Sequence, residues 1–186
     1  TKCDEAASST SMTKSILITA TIDAKQNQDV MTADIPNAFV QTDIDEKNHV
    51  KGNRIIMKIR GPLVDMLVEI APEVYDDYVV FEGTAKVLYV KMLKAIYGML
   101  QSSLLYYKKF RKDIETIDFE VNPYDPCVAN RIVNGKQHTV SWHVDDLKSS
   151  HVDSTVNDEF LEWLKKVYAS DEIGEVKAVR GTRHDY

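Results

Sequence analysis

Cysteine is nearly absent from the chain. Cys3 and Cys127 are the only two, too few and too distant for a disulfide framework or a zinc site, so a reducing, intracellular setting is expected. Glycine and proline are sparse as well, at 7 and 5 in 186 residues, which separates the sequence from fibrous and low-complexity chains. No apolar run exceeds a few residues, leaving no stretch long enough for a membrane span or the core of a secretory signal. Positive charge is not in excess either: 23 Lys and Arg against 29 Asp and Glu give a net charge of −6, the wrong sign for a generic phosphate-binding surface. Any nucleic-acid contact must rest on a local basic face. Lys51, Arg54, Lys58 and Arg60 form one candidate cluster, and Lys108, Lys109, Arg111 and Lys112 another; the alternative for each is a solvated face.

What is present is an ordinary globular composition, 44% apolar and 28% charged, sized for one domain or one domain with a large insertion. Residues 1–10 read as a loose terminus. From Ser11 to Gln26 the apolar positions suit a helix, although the β-branched content would also suit a strand. Val30 to Ile35 alternates, placing Met31, Ala33 and Ile35 on one face and Thr32 and Asp34 on the other. Residues 41–53 read as loop, followed by a half-exposed strand on Ile55, Met57 and Ile59 with a cationic outer side. Pro62 starts a helix whose inner face is Leu63, Met66, Leu67 and Ile70, and Pro72 stops it. Residues 86–90 read as a strand. Ser102 or Ser103 is placed to cap a long helix with Leu104, Tyr107, Phe110, Ile114 and Ile117 on its inner side.

Asn134-Gly135 is the strongest short hairpin signal, joining strands over 127–133 and 137–143. Val144-Asp145 makes a second reversal into a strand ending at His151. A helix begins at Asp153 or Ser154, with Val156, Phe160, Leu164, Val167 and Tyr168 on one side, and 176–179 is a last strand. The order is βαββαβ with an inserted subdomain, an α+β split arrangement of ferredoxin-like type in which two helices cover an antiparallel sheet. That topology sets Asp34, at the end of the first strand, beside Asp145 and Asp146 at a hairpin tip. An oxygen-rich set of this kind suits Mg²⁺ together with substrate phosphates; an Asp-Asp pair alone reads as a solvated turn, and it is Asp34 opposite that sets a metal site beside that reading.

Four boxes carry a resemblance: Thr32-Ala-Asp-Ile-Pro-Asn-Ala-Phe39, Leu93-Lys-Ala-Ile-Tyr-Gly-Met-Leu-Gln-Ser102, Tyr124-Asp-Pro-Cys127 and His143-Val-Asp-Asp146. In order and spacing they resemble the reverse transcriptase of copia-type LTR retrotransposons, from about Ser11 to the end. The resemblance implies a polymerase palm over 11–42 and 99–186, with a fingers-type insertion over 43–98, cut from something longer at both ends. It implies RNA-directed DNA polymerase activity using two Mg²⁺ ions, with Mn²⁺ as a substitute. Asp34, Asp145 and Asp146 would be the catalytic, metal-binding aspartates, and the Ile35 carbonyl a further ligand. Phe39 would be a steric gate under the incoming sugar. Tyr97, Gly98, Gln101 and Ser102 would lie under the nascent base pair and template, and Val144 would touch the primer end. The implied partners are an RNA template, a DNA primer, dNTP, and integrase and ribonuclease H regions of the same polyprotein. The implied location is a cytoplasmic virus-like particle, with nuclear entry as an option.

The sequence departs from the family pattern at His143, where a Tyr is usual, at Ser103, where Pro is usual, and at Val40-Gln41-Thr42, where a Leu-Asn-Gly run is usual. In the family the basic segment that grips the triphosphate lies upstream, and the primer grip, thumb and ribonuclease H lie downstream. These departures and the acidic balance motivate the alternative: a decayed or repurposed copy, catalytically inactive, acting as a nucleic-acid or protein interaction module. An RRM-like binder shares the element order, but the aromatic positions expected on its sheet face are not evident.

Overall fold

A computed structural model describes residues 9–44, 55–99 and 101–181. The expected roles of Lys51 and Arg54, most of the 41–53 loop and the closing His184-Asp185-Tyr186 lie outside the described residues. The chain divides into two units, one of Thr1–Thr42 with Ala95–Tyr186 and one of Asp43–Lys94.

The first unit is an α+β structure on a six-stranded antiparallel sheet. Helix α1 (Thr13–Gln26) leads into β1 (Asp29–Asp34); after the second unit, which carries β2, β3, β4, α2 and α3, come α4 (Ser102–Glu115), β5 (Glu120–Val121), β6 (Val128–Val133), β7 (Lys136–His143), β8 (Asp146–His151), α5 (Ser154–Tyr168) and β9 (Lys177–Arg180). The strand order is β5-β6-β7-β8-β1-β9. Within it β9, β1, β8 and β7 are neighbours in that order, with α4 on the path from β1 to β7 and α5 on the path from β8 to β9. Tight turns fix the register. Asn134 and Gly135 both have positive φ, at 51° and 72°, as the type I′ turn between β6 and β7 requires.

The alternation in β1 is as the sequence suggests: Met31, Ala33 and Ile35 are buried, Thr32 and Asp34 exposed. The buried set joins Tyr106, Phe110 and Ile114 from α4 and Phe160, Leu164 and Tyr168 from α5 in one apolar cluster. Phe110 is its centre, with ring centroids 6.1 Å from Tyr106, 5.2 Å from Trp142 and 6.1 Å from Tyr168; truncation of such a side chain to Ala costs about 3–5 kcal/mol. The inner face of α4 runs through Ser102, Tyr106, Phe110 and Ile114, with Ser102 and Tyr106 in place of the expected Leu104 and Tyr107 in its first turns. Neither expected serine caps this helix. Gln101 is its N-cap residue, without a side-chain cap bond, while the Ser102 hydroxyl donates to the Ile96 carbonyl at 2.6 Å. Helix α5 does start as expected, the Asp153 carboxylate accepting from the Thr155 N–H at 3.0 Å.

On the sheet's other side, α1 resolves the helix-or-strand ambiguity as helix, but its apolar residues do not form one buried face. Met12, Ile16, Leu17, Ile18 and Ile22 are all exposed. At about 100° per residue, positions 16, 17, 18 and 22 spread around the axis, so one sheet contact cannot cover them. The buried residue of α1 is Asp23, ion-paired with Lys148 of β8. Asp125 anchors the helix start, its carboxylate accepting from the N–H of Met12 at 2.9 Å and of Cys127 at 3.0 Å.

The second unit is a three-stranded antiparallel sheet in the order β2-β4-β3, formed by β2 (Ile56–Arg60), β3 (Val80–Glu82) and β4 (Ala85–Lys91). Helix α2 (Pro62–Ile70) packs on β2 and β4. Its buried residue is Val64, whereas Leu63, Met66 and Ile70 of the expected inner face are exposed. Pro72 opens a short second helix, α3 (Pro72–Tyr75). The cationic outer side of β2 is partly offset within the unit, because Lys58 and Arg60 share one carboxylate, Glu82, at 2.5 and 3.5 Å.

Candidate active site

Two strand ends build the site. β1 runs out at Asp34 before Pro36 removes the next ladder donor but one, and the side-chain alternation that buries Ala33 and Ile35 leaves Asp34 on the open face. β7 and β8 meet in a two-residue turn, Val144-Asp145, closed by the pair His143↔Asp146. The Ile35 N–H donates to the Asp145 carbonyl at 3.1 Å, tying the hairpin tip to the residue after Asp34. Register then sets Asp34 directly opposite Asp146 on β8 and opposite Lys177 on β9. A row of four residues, Lys177-Asp34-Asp146-His143, crosses the end of the sheet on one face.

The turn itself is strained. Val144 has φ 59°, while its neighbour Asp145 does not have positive φ. That is the sign pattern of a type II′ hairpin turn, where the first central position favours glycine. A β-branched residue with positive φ is a genuine outlier, and such outliers persist where the surroundings over-determine them. Here the surroundings are the β7–β8 ladder on one side and the Ile35–Asp145 bond on the other.

Asp34, Asp146 and His143 are exposed, and Asp145 and Val144 half-buried. A cavity of about 400 Å³ is lined by Thr32, Asp34, His143, Asp146, Lys148 and Lys177, among others. Both the hairpin tip and the end of β1 act on the phenols nearby. Partial burial holds the Tyr97 phenol above its ordinary value, and the Asp145 and Asp34 carboxylates add to the shift. Tyr106, buried beneath, is raised well above its ordinary value by burial and then by Asp145, among other groups including Asp34. Its hydroxyl has no hydrogen-bond partner.

The other residues named from sequence fall as follows. Phe39 is half-buried, 4.6 Å from the Tyr97 ring and 6.2 Å from Tyr106 between centroids, so Tyr97, Phe39 and Tyr106 form a run of tilted and edge-on ring contacts leading from the site to the core. Gly98 has φ 89°, and a Cβ there would meet nothing within 4 Å; the glycine answers a backbone need rather than a lack of space. Gln101 is exposed, but Ser102 is buried with its hydroxyl committed to Ile96, and the Ile35 side chain belongs to the core. Lys177 and Tyr106 were not singled out from sequence. Lys177 carried no signal for its placement, because its strand is exposed along its whole length and lacks the alternation that would assign it a face.

Among the described residues, no group of three or more His, Cys, Asp or Glu is placed to hold a metal ion. Mg²⁺ does not require one, because it keeps several waters and is commonly bound by one or two carboxylates plus substrate phosphates. The hard oxygen donors at the two strand ends fit that pattern. The chain matches no protein-family model, no curated protein and no solved structure.

Proposed function

We propose that this chain carries the palm, with a fingers-type insertion, of an RNA-directed DNA polymerase of the copia retrotransposon type, which transfers a nucleotide from dNTP to a primer 3′-hydroxyl. The observation that carries the reading is the convergence of Asp34 and the Asp145-Asp146 hairpin on one open sheet end. Mg²⁺ bound there with the substrate phosphates supplies activation of the 3′-hydroxyl and charge neutralisation of the departing pyrophosphate. Asp34 and Asp145 provide the carboxylate oxygens. The bond from Ile35 to Asp145 holds the turn so that the second carboxylate stays in place, and electrostatic preorganisation of this kind is where most of the rate is gained in phosphoryl transfer. Phe39, braced by Tyr97, is the flat wall against the sugar that leaves room for hydrogen but not hydroxyl at C2′.

Primer extension on an RNA template, by the chain within its full reading frame, tests this. Asp34→Asn and Asp145→Asn are each expected to lower the rate by roughly a hundredfold or more with the thermal transition retained. Equal extension by wild type and Asp145→Asn would sink the assignment. A second reading, an inactive interaction module on the same fold, is favoured by the engagement of Lys58 and Arg60 with Glu82 inside their own unit. Mn²⁺ titration separates them: binding lost in Asp34→Asn supports the polymerase, and no binding even with primer, template and dNTP supports the module.

A further inference from the structure

The open end of the sheet holds a cation that forms no ion pair among the described residues. Strands β8 and β9 carry three Lys and Arg side chains. Lys148 is ion-paired with Asp23 and donates to Thr19 Oγ1 at 3.2 Å. Arg180 is paired with Asp29 at 3.6 Å and with Asp158. Lys177, in contrast, forms no ion pair among the described residues, although it stands opposite Asp34 and lines the same cavity as Asp34 and Asp146. Directly opposed residues on antiparallel strands have Cβ atoms about 5 Å apart, so a bond to Asp34 is within reach and is not made. An ammonium beside two carboxylates that it leaves unneutralised suits a ligand that brings negative charge of its own and shares its oxygens between a divalent cation on the carboxylates and the lysine. Phosphate oxygens have that chemistry, and a lysine meets them as a compact point charge.

We propose that Lys177 is a phosphate-contacting residue of this site, binding a non-bridging oxygen of the substrate on the β9 side of Asp34. The inference rests on the polymerase reading of Asp34 and Asp145. The phosphate comes either from the polyphosphate of the incoming nucleotide or from the nucleic-acid backbone, and the two sources are separable.

The test measures dissociation constants of the full chain and its Lys177→Ala, Lys177→Arg and Asp34→Asn variants for three probes: Mn²⁺ alone, inorganic tripolyphosphate with Mn²⁺, and a primer–template duplex with Ca²⁺. Lys177→Ala is expected to leave Mn²⁺ affinity within about twofold and to weaken one of the phosphate probes about tenfold or more, as loss of a charge-assisted contact does, with Lys177→Arg restoring most of it. Weakening confined to tripolyphosphate assigns the contact to the nucleotide. Weakening of duplex binding, with the slope of log K against log salt reduced by about 0.9, assigns it to the backbone. If Lys177→Ala binds both phosphate probes like wild type while Asp34→Asn loses Mn²⁺, the polymerase reading stands and the role of Lys177 is refuted. If the wild-type chain binds no Mn²⁺ with or without the phosphate probes, both fall together.

Discussion

His138 makes the stability of this protein pH-dependent in a range where most of its carboxylates are already ionised. Its ring, on β7, is fully buried between Phe119 and Phe160. Arg131 Nε donates to Nδ1 at 3.1 Å, which leaves the proton on Nε2, 2.7 Å from Ser149 Oγ. The Ser149 hydroxyl in turn donates to Asn157 Oδ1 at 2.7 Å, and Asn157 Nδ2 donates to the backbone carbonyl and the carboxylate of Asp29 at 2.9 and 2.7 Å. The chain of bonds is satisfied only by the neutral ring. Burial first, then the Arg131 charge and His151, lower the His138 pKa from 6.5 to about 3. A depressed folded-state pKa means that the unfolded chain binds the proton more readily, so the contribution is fully present above about pH 6.5 and is lost as pH falls toward 3. Between pH 7 and pH 5 the loss integrates to about 2 kcal/mol, near 1.4 kcal/mol per pH unit at the acid end. Urea unfolding at pH 7, 6 and 5 measures it, with His138→Gln as the control, because a glutamine amide offers an acceptor and a donor but does not titrate. Wild type should lose about 2 kcal/mol more than the variant over that interval. Parallel pH profiles would show that native His138 takes up its proton in place, and the argument from burial would be wrong.

Three further outcomes are expected. Asn157→Leu removes the acceptor of the Ser149 hydroxyl and the amide that donates to Asp29, leaving Ser149 only His138 and the Asp29 carboxylate only Arg180, and should cost about 2–3 kcal/mol by urea unfolding. Val144→Gly relieves a β-branched residue at positive φ, worth about 1–2 kcal/mol, against about 0.5–1 kcal/mol of added chain entropy; a rise in melting temperature of about 2–4 °C should be seen by calorimetry, together with slower primer extension if the strain aims Asp145. Asp146→Asn removes a like charge directly opposite Asp34 and should stabilise the protein by about 0.2–1 kcal/mol at low salt, an effect that shrinks at high salt and is checked by urea titration at both ionic strengths.

Where local chemistry dictates the outcome, the fold was readable. The Asn134-Gly135 hairpin, the alternation of β1 and the Asp153 start of α5 each follow from one turn, one period or one cap. The misreadings occur where several apolar residues compete for one contact surface. In α2 the spacing of Leu63, Met66 and Ile70 marks a stripe, yet the helix buries Val64, and in α1 the apolar positions spread too widely to share a face. On α4, adjacent Tyr106 and Tyr107 offered two choices, and the site side took Tyr106. Within the site, Asp34, Asp145 and Asp146 were legible because they end strands. Lys177 was not, since a four-residue edge strand exposed along its whole length carries no alternation from which to assign a face.

The strand pair β1–β8 obeys opposite rules at its two ends. At the Asp29 and His151 end, Arg131, His138, Ser149, Asn157 and Asp29 are joined in one run of hydrogen bonds, as burial demands, although Ser150 Oγ and His151 Nε2 beside them have no partner. At the Asp34 and Asp146 end, two carboxylates face each other across the ladder and neither forms an ion pair among the described residues. A chain optimised for stability alone would place a cation in one of those positions, because like charges directly opposite are unfavourable and opposite charges favourable. Lys177 is one strand away and does not pair with either carboxylate. The repulsion is therefore retained at the one place where a divalent cation and a phosphate would convert it into attraction. Ligand that binds only the folded state stabilises by RT ln(1 + [L]/Kd), so Mn²⁺ should raise the urea midpoint of wild type and not that of Asp34→Asn. A midpoint that Mn²⁺ leaves unchanged in wild type would mean that the opposed carboxylates are no more than two solvated strand ends.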